Sequence, residues 1–272
     1  MHILQAKHPP SRRGMLLQMQ NVLVIDIGGT HVKVASTEQR VPLKIPSGPT
    51  MAAHQMVQQV VLATKGWKYD RISIGYPGPV LHDRPLAEPH NLAAGWIDFD
   101  YEKVFAKPIR FINDAAMQAL GGYRGGRMLF LGIGTGLGSA MVFEGVVIPL
   151  ELAHLPYRKN RTYEEYLGKA GLELRGKKRW TKSVLDVIER LKAAMVCEYV
   201  LLGGGNAKLM KGLPPHVILG ANSNAIDGGI RLWQSPEERK ILVAPHKDLP
   251  IETTPLRKGH WQNIPSEVKP IH

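Results

Sequence analysis

Two short glycine turns, about a hundred residues apart, constrain this chain more than any other feature. The first, Asp26-Ile-Gly-Gly-Thr30, closes an apolar run over residues 21–27 and leads at once into a second run over 32–35. So short a link predicts an antiparallel hairpin, because a parallel strand pair needs a crossover of a dozen residues or more. The second turn, Gly134-Thr-Gly-Leu-Gly138, hinges strands expected over 127–133 and 137–143 in the same way. Two hairpins of one design predict a two-lobed molecule with one anion-binding loop in each lobe.

The chemistry of the first loop follows from its residues. Glycines let a backbone approach an anion closely and aim successive N–H groups at it, and Thr30 adds a hydroxyl donor. Asp26 is an acid inside an otherwise apolar strand, where a charge needs a partner. A hydrated Mg²⁺ is one such partner. The competing reading is a plain hairpin turn with Asp26 as a surface carboxylate. Neither loop matches the P-loop or the dinucleotide fingerprint.

Further along, strands are expected over 71–75, 109–112 and 199–202, and helices over 51–63, 115–120, 162–167 and 181–195. The last strand runs into Gly203-Gly204-Gly205, with a helix expected from Asn206 and a last structured piece over 224–233. A loop over 83–95 carries His90-Asn91 ahead of Trp96. Asn113-Asp114 stands where a strand passes into a helix; it reads either as an ordinary N-cap or as a general base that takes a proton from an attacking hydroxyl. Glu151-Leu-Ala-His154 puts a carboxylate and an imidazole three residues apart between two prolines, which suits hydroxyl recognition better than a metal site. A solvated surface pair is the alternative there.

Composition narrows the partners. Thirty-five Lys plus Arg face 23 Asp plus Glu, for a net charge of +12, so a polyanion is a plausible partner: nucleic acid, an anionic membrane face or a phosphate-rich molecule. Half of the excess, +6, lies in residues 158–182, which read as a solvated helix surface or as a track for a phosphate chain. Cys197 is the one cysteine, which permits no internal disulfide and fits a reducing, cytoplasmic setting. No apolar run approaches the ~20 residues that span a bilayer. Residues 1–20 are expected to be a disordered leader and 234–272 a proline-rich extended tail. The lobes between them are expected over 21–112 and 113–233.

The order of motifs resembles the ROK sugar kinases of the actin/Hsp70/hexokinase superfamily, and within them the polyphosphate glucokinase and glucomannokinase branch. The likeness rests on Asp26-Ile-Gly-Gly-Thr30, Gly75-Tyr-Pro-Gly78, His90-Asn91 with Trp96, Asn113-Asp114-Ala115, Gly134-Thr-Gly-Leu-Gly138, Glu151-Leu-Ala-His154 and Gly203-Gly-Gly205. It extends to Tyr163-Glu-Glu-Tyr-Leu-Gly168, Gly176-Lys-Lys-Arg-Trp180, Leu202-Gly-Gly-Gly-Asn206 and Gly229-Ile-Arg-Leu-Trp233, and covers residues 21–233.

The resemblance implies an α/β, ribonuclease H-like kinase with an active-site cleft between two lobes, and a homodimer. Asp114 would be the base for a hexose hydroxyl, most simply the 6-hydroxyl of glucose. Gly78, Asn91, Asn113, Glu151, His154 and Glu164 would line the sugar site. Gly28, Gly29, Thr30, Gly134, Thr135 and Gly136 would hold phosphates, and Gly203, Gly204 and Gly205 would flank the nucleotide of ATP. Asp26 would organise Mg²⁺ through water, and the donor would be ATP, inorganic polyphosphate or both. The cysteine-rich zinc motif of the wider family is absent, so no zinc is expected. Ala153 stands where the family places glycine, and a left-handed backbone there would strain it by roughly 1 kcal/mol.

Two other classes remain to weigh. One is a non-catalytic sugar- or nucleotide-sensing protein, since ROK relatives include repressors; the twenty residues before the first strand are not expected to hold their DNA-binding domain, so no DNA partner is expected, and without a long apolar run no membrane partner is expected either. A chaperone-type ATPase would need a substrate domain for which 272 residues leave no room.

Overall fold

The computed structural model describes residues 21–241; the expected leader and residues 242–272 of the expected tail lie outside the described residues. The first hairpin forms as its short link requires. β1 (Val22–Ile27) pairs antiparallel with β2 (His31–Ser36), and β3 (Leu43–Pro46) adds to the outer edge of β2. α1 (Ala53–Ala63) crosses over to β4 (Arg71–Tyr76), which lies parallel to β1. A two-strand hairpin, β5 (Val80–Leu81) with β6 (Arg84–Pro85), and the short α2 (Tyr101–Phe105) precede β7 (Ile109–Asn113), parallel to β4. The sheet order is β3-β2-β1-β4-β7.

A strand in the middle of such a sheet is covered on both faces, and every residue of β1 is buried. One face carries Leu23, Ile25, Ile27, Val32, Val34 and Ile45, which pack with Met56, Val57 and Val60 of α1. The other carries Val24, Asp26, Lys33 and Ala35, since side chains alternate along a strand.

α3 (Asp114–Gly122) follows, and the topology then repeats. β8 (Arg127–Ile133), β9 (Leu137–Phe143) and β10 (Val146–Leu150) form an antiparallel meander, while β13 and β14 add in parallel beyond β8. Between them lie a 3-10 turn (Leu152–His154), the hairpin β11 (Pro156–Arg158) with β12 (Arg161–Thr162), α4 (Tyr163–Leu167) and α5 (Lys169–Met195). β13 is Tyr199–Gly203 and β14 is Val217–Leu219. The order β10-β9-β8-β13-β14 matches the first sheet strand for strand. A second core, built on Leu129, Leu131, Val200 and Leu202, packs against Trp180, Val184, Val187, Ile188 and Leu191 of α5.

The contacts divide the chain after Gly121, not at 112/113, and return residues 223–234 to the first unit. α6 (Asn224–Arg231) explains the return. Ser73 on β4 donates to the Gly229 carbonyl at 2.6 Å, Trp233 Nε1 donates to Ser73 Oγ at 2.9 Å, and Arg110 on β7 donates to the Leu232 carbonyl at 2.7 Å. The guanidinium groups of Arg71 and Arg110 stack on the Trp233 ring.

Two local expectations are corrected. No α-helix starts at Asn206; only a single 3-10 turn, Ala207–Leu209, forms there. The expected tail begins as a helix, α7 (Pro236–Ile241), in which Arg239 donates to the Gly145 carbonyl at 3.0 Å. Among the described residues no helix is long and apolar enough to cross a membrane.

Candidate active site

In the first unit the expected residues gather at the C-terminal ends of β1, β4 and β7. Asp26 sits one pair back from the end of the β1–β2 ladder, directly opposite Lys33 and next to Gly75. It is 5% exposed, and its Oδ2 accepts from Lys33 Nζ at 2.9 Å, the partner a buried carboxylate requires. A Cβ at Gly75 would run into the Met117 side chain and stand 3.6 Å from Asp26 Oδ1, so this glycine clears room beside the carboxylate.

The turn Gly28-Gly29-Thr30 is held by its own backbone. Gly28 N donates to the His31 carbonyl at 3.1 Å, Ser47 N to the Thr30 carbonyl at 3.0 Å and Ser47 Oγ to the Gly28 carbonyl at 2.6 Å. Its glycines answer close approach and not a left-handed backbone: a Cβ on Gly28 would stand 2.9 Å from the His31 carbonyl, and one on Gly29 would stand 3.3 Å from Asn91 Cβ. Asn91, from the loop over 83–95, therefore lies against the turn.

Asn113 and Asp114 fall at the junction of β7 and α3. Asn113 Oδ1 accepts from Ala116 N at 3.1 Å, the N-cap geometry, and its Nδ2 donates to the Gly78 carbonyl at 3.2 Å. Capping thus falls to Asn113. Asp114 is the first helical residue, partly exposed, and its Oδ1 accepts from Ala115 N at 2.8 Å.

The second unit builds an equivalent loop. Gly134 N donates to the Gly136 carbonyl at 3.0 Å, Asn206 Nδ2 to the Gly134 carbonyl at 3.0 Å, and Lys169 N, at the start of α5, to the Thr135 carbonyl at 3.1 Å. Gly204 has φ +81° and lies so close to Ile133 that a Cβ would overlap its backbone. The Gly203–Gly205 run is thereby seated against the Gly134–Gly136 loop.

Glu164 joins the same group: its Oε2 accepts from Leu137 N at 3.1 Å, and a side chain at Gly136 would collide with it. Glu151 and His154 face each other across 3.8 Å and are largely exposed, with the turn fixed by Ser139 Oγ, which donates to the Leu150 carbonyl at 2.8 Å and accepts from Leu152 N at 3.2 Å. Ala153 lies in the right-handed 3-10 turn and is buried, so the strain expected of it does not arise.

Sequence reasoning missed Lys33, Ser47 and Asn206. Lys33 reaches Asp26 through strand register and Ser47 arrives from beyond β3, so neither has a local signature. Asn206 had one, its place directly after the glycine run.

The oxygen of Asp26 that Lys33 leaves unbonded suits a hydrated Mg²⁺, which keeps several waters and takes one or two carboxylates. Among the described residues no three His, Cys, Asp or Glu side chains cluster to cage a metal. In the basic segment Arg158 is committed to Asp186 at 3.1 Å, Arg175 stacks over Tyr166 and Lys169 pairs with Glu173 at 3.7 Å, whereas Lys177, Lys178, Arg179 and Lys182 are exposed.

Two sheets of this topology, each presenting a glycine turn at a strand end, are the α/β arrangement of the actin/Hsp70/hexokinase-type fold. Residues 22–149, a little under half of the chain, match the ROK family model, and the chain is similar to polyphosphate glucokinases. The polyphosphate glucokinase of Mycobacterium leprae is 26% identical over 220 residues, covering 72% of this chain and 67% of that protein. Among solved structures, the inorganic polyphosphate/ATP-glucomannokinase of Arthrobacter sp. strain KM superposes with a TM-score of 0.66 at 19% identity, over 82% of this chain and 99% of that one. A ROK family glucokinase from Streptomyces griseus, in complex with glucose and AMPPNP, gives 0.60 at 16% identity, over 78% and 97%.

Proposed function

We propose that this protein is a sugar kinase that transfers a phosphoryl group from ATP or inorganic polyphosphate to the 6-hydroxyl of glucose, with Mg²⁺. The observation that carries the reading is the β7–α3 junction. Asn113 takes the capping role and ties Gly78 in place, which leaves Asp114 as a partly exposed carboxylate on a fixed helix end. Asp114 accepts the proton of the attacking hydroxyl as its oxygen bonds to the terminal phosphorus. The bond from that phosphorus to the donor breaks, releasing ADP or a polyphosphate one unit shorter. The transition state of such transfers is loose, so holding the hydroxyl in line matters as much as basicity.

Asn91, Asn113, Glu151, His154 and Glu164 hydrogen-bond the remaining sugar hydroxyls, and Gly78 leaves room for the ring. The turns Gly28–Thr30 and Gly134–Gly136 hold phosphate oxygens, and Gly203–Gly205 lie flat beside the nucleotide when ATP is the donor. Asp26 would hold Mg²⁺ through water, and the ion would supply charge neutralisation on the donor.

Asp114→Asn keeps the shape and removes the base. Turnover is expected to fall by about 10²–10⁴-fold while glucose affinity, read by calorimetry, is kept. Full turnover in that variant would remove Asp114 from its role. Wild-type protein that makes no sugar phosphate from glucose with either donor would overturn the reaction itself.

A further inference from the structure

The register of the first sheet sets four residues in one row: Gly75 on β4, Asp26 on β1, Lys33 on β2 and Lys44 on β3. Residues directly opposite each other project from the same face, so Asp26, Lys33 and Lys44 form a line of side chains, away from the core that α1 covers. One carboxylate faces two ammonium groups. Asp26 Oδ2 is bonded to Lys33 Nζ, which remains partly open, with 44% of that side chain exposed. Lys44 is exposed and has no ion pair among the described residues.

Like charges directly opposite each other destabilise a sheet. The Lys33–Lys44 pair therefore works against the fold, and it lies beside the Gly28–Thr30 turn. Ser47, just past the end of β3, bonds both the Gly28 and the Thr30 carbonyls, so the turn and the lysine row belong to one rigid patch. A surplus cation next to a glycine turn whose backbone an anion can approach closely matches an extended anion.

We propose that Lys33 and Lys44 form the lane that holds the donor's phosphate chain, with Lys33 shared between Asp26 and a donor oxygen. Lys33 serves the phosphates adjoining the one transferred, in either donor. Lys44, one strand spacing of ~4.8 Å further from Asp26, serves only phosphates beyond that reach, which a long polyphosphate has and ATP lacks. Lysine suits this as a mobile point charge. The proposal rests on the phosphoryl-transfer reading and names the donor subsite within it.

Calorimetric titration of the full chain with ATP and with long-chain inorganic polyphosphate, without sugar, at several salt concentrations, tests it. Lys44→Gln should weaken polyphosphate about tenfold, leave ATP unchanged and lower the slope of log affinity against log salt by about one. Its urea midpoint should hold or rise as the repulsion goes. Lys33→Gln should weaken both donors, and Lys33→Arg should restore part of the loss.

Unchanged polyphosphate affinity and salt slope in Lys44→Gln, with new aggregation, would make that lysine only a guard on an edge strand. A Lys33→Gln protein that loses stability but keeps donor affinity would reduce Lys33 to a structural partner of Asp26. These titrations read binding, so they stand apart from the turnover assay on which the phosphotransferase reading depends.

Discussion

Asp186 gathers three partners on one oxygen. Tyr157 donates to it at 2.7 Å, Arg190 Nε at 2.8 Å, and Arg158 lies 3.1 Å away. Burial pushes its carboxyl upward, but the hydrogen bonds from Tyr157 and Arg190 and the two guanidinium charges outweigh that and hold it below the usual carboxylate range. A folded-state pKa below the unfolded one means that the stabilisation is present above about pH 4 and is lost as pH falls through the folded value. Urea unfolding should therefore show stability falling in acid. Asp186→Asn should flatten that fall and lower stability at neutral pH. Tyr157 also packs edge-on against Tyr166 of α4, which carries Glu164, so the same variant should raise the KM for sugar more than it lowers kcat. Cys197 is the opposite case: burial pushes its thiol up to about 11, and the native protein should resist a thiol reagent at pH 8 that labels it at once in urea.

At the scale of elements, α3 and α6 meet through glycine. A Cβ on Gly121 would overlap the backbone of Asn224, and one on Gly228 would overlap the backbone of Met117. Backbone cannot yield as a side-chain tip can, so Gly121→Ala or Gly228→Ala should each cost about 1–3 kcal/mol or more, read as a lowered Tm. Strong local patterns made the central elements legible. β1, β2, β8 and β9 are buried runs joined by short glycine links, and Asp26 and Asn113-Asp114 lie at strand ends where chemistry and turn coincide. Edge elements were not legible. β3 is four residues ending in proline, and β10 contains Pro149, which reads as a break although an edge strand tolerates it. The helix expected from residue 181 begins at Lys169, with Gly176 at φ +69° interrupting it. The lysine row was hidden for the same reason as β3, since only pairing across strands brings Lys44 into line with Asp26.

For the whole molecule, each unit has its own core and its own buried reporter, Trp96 in the first and Trp180 in the second. Two cores need not melt as one, and single-tryptophan variants should report distinct urea transitions. Raising salt should weaken polyphosphate use strongly and ATP use little, because a long polyanion meets more of the exposed cations. Equal sensitivity of the two donors would count against a phosphate track.

The return of residues 223–234 to the first unit bears on how the chain is born. Ser73, Arg110 and the α6 side of β1 and β4 leave the ribosome early, but α6 follows only after about a hundred more residues past Gly121. At the usual ~5–20 residues per second that interval is roughly 5–20 s. Residues 122–222, all of the second unit but its segment from Ser235 onward, are synthesised within it, so the second sheet can form before the first is covered. The earlier half waits throughout with one sheet face uncovered, which makes this interval the one in which a nascent-chain chaperone has most to protect.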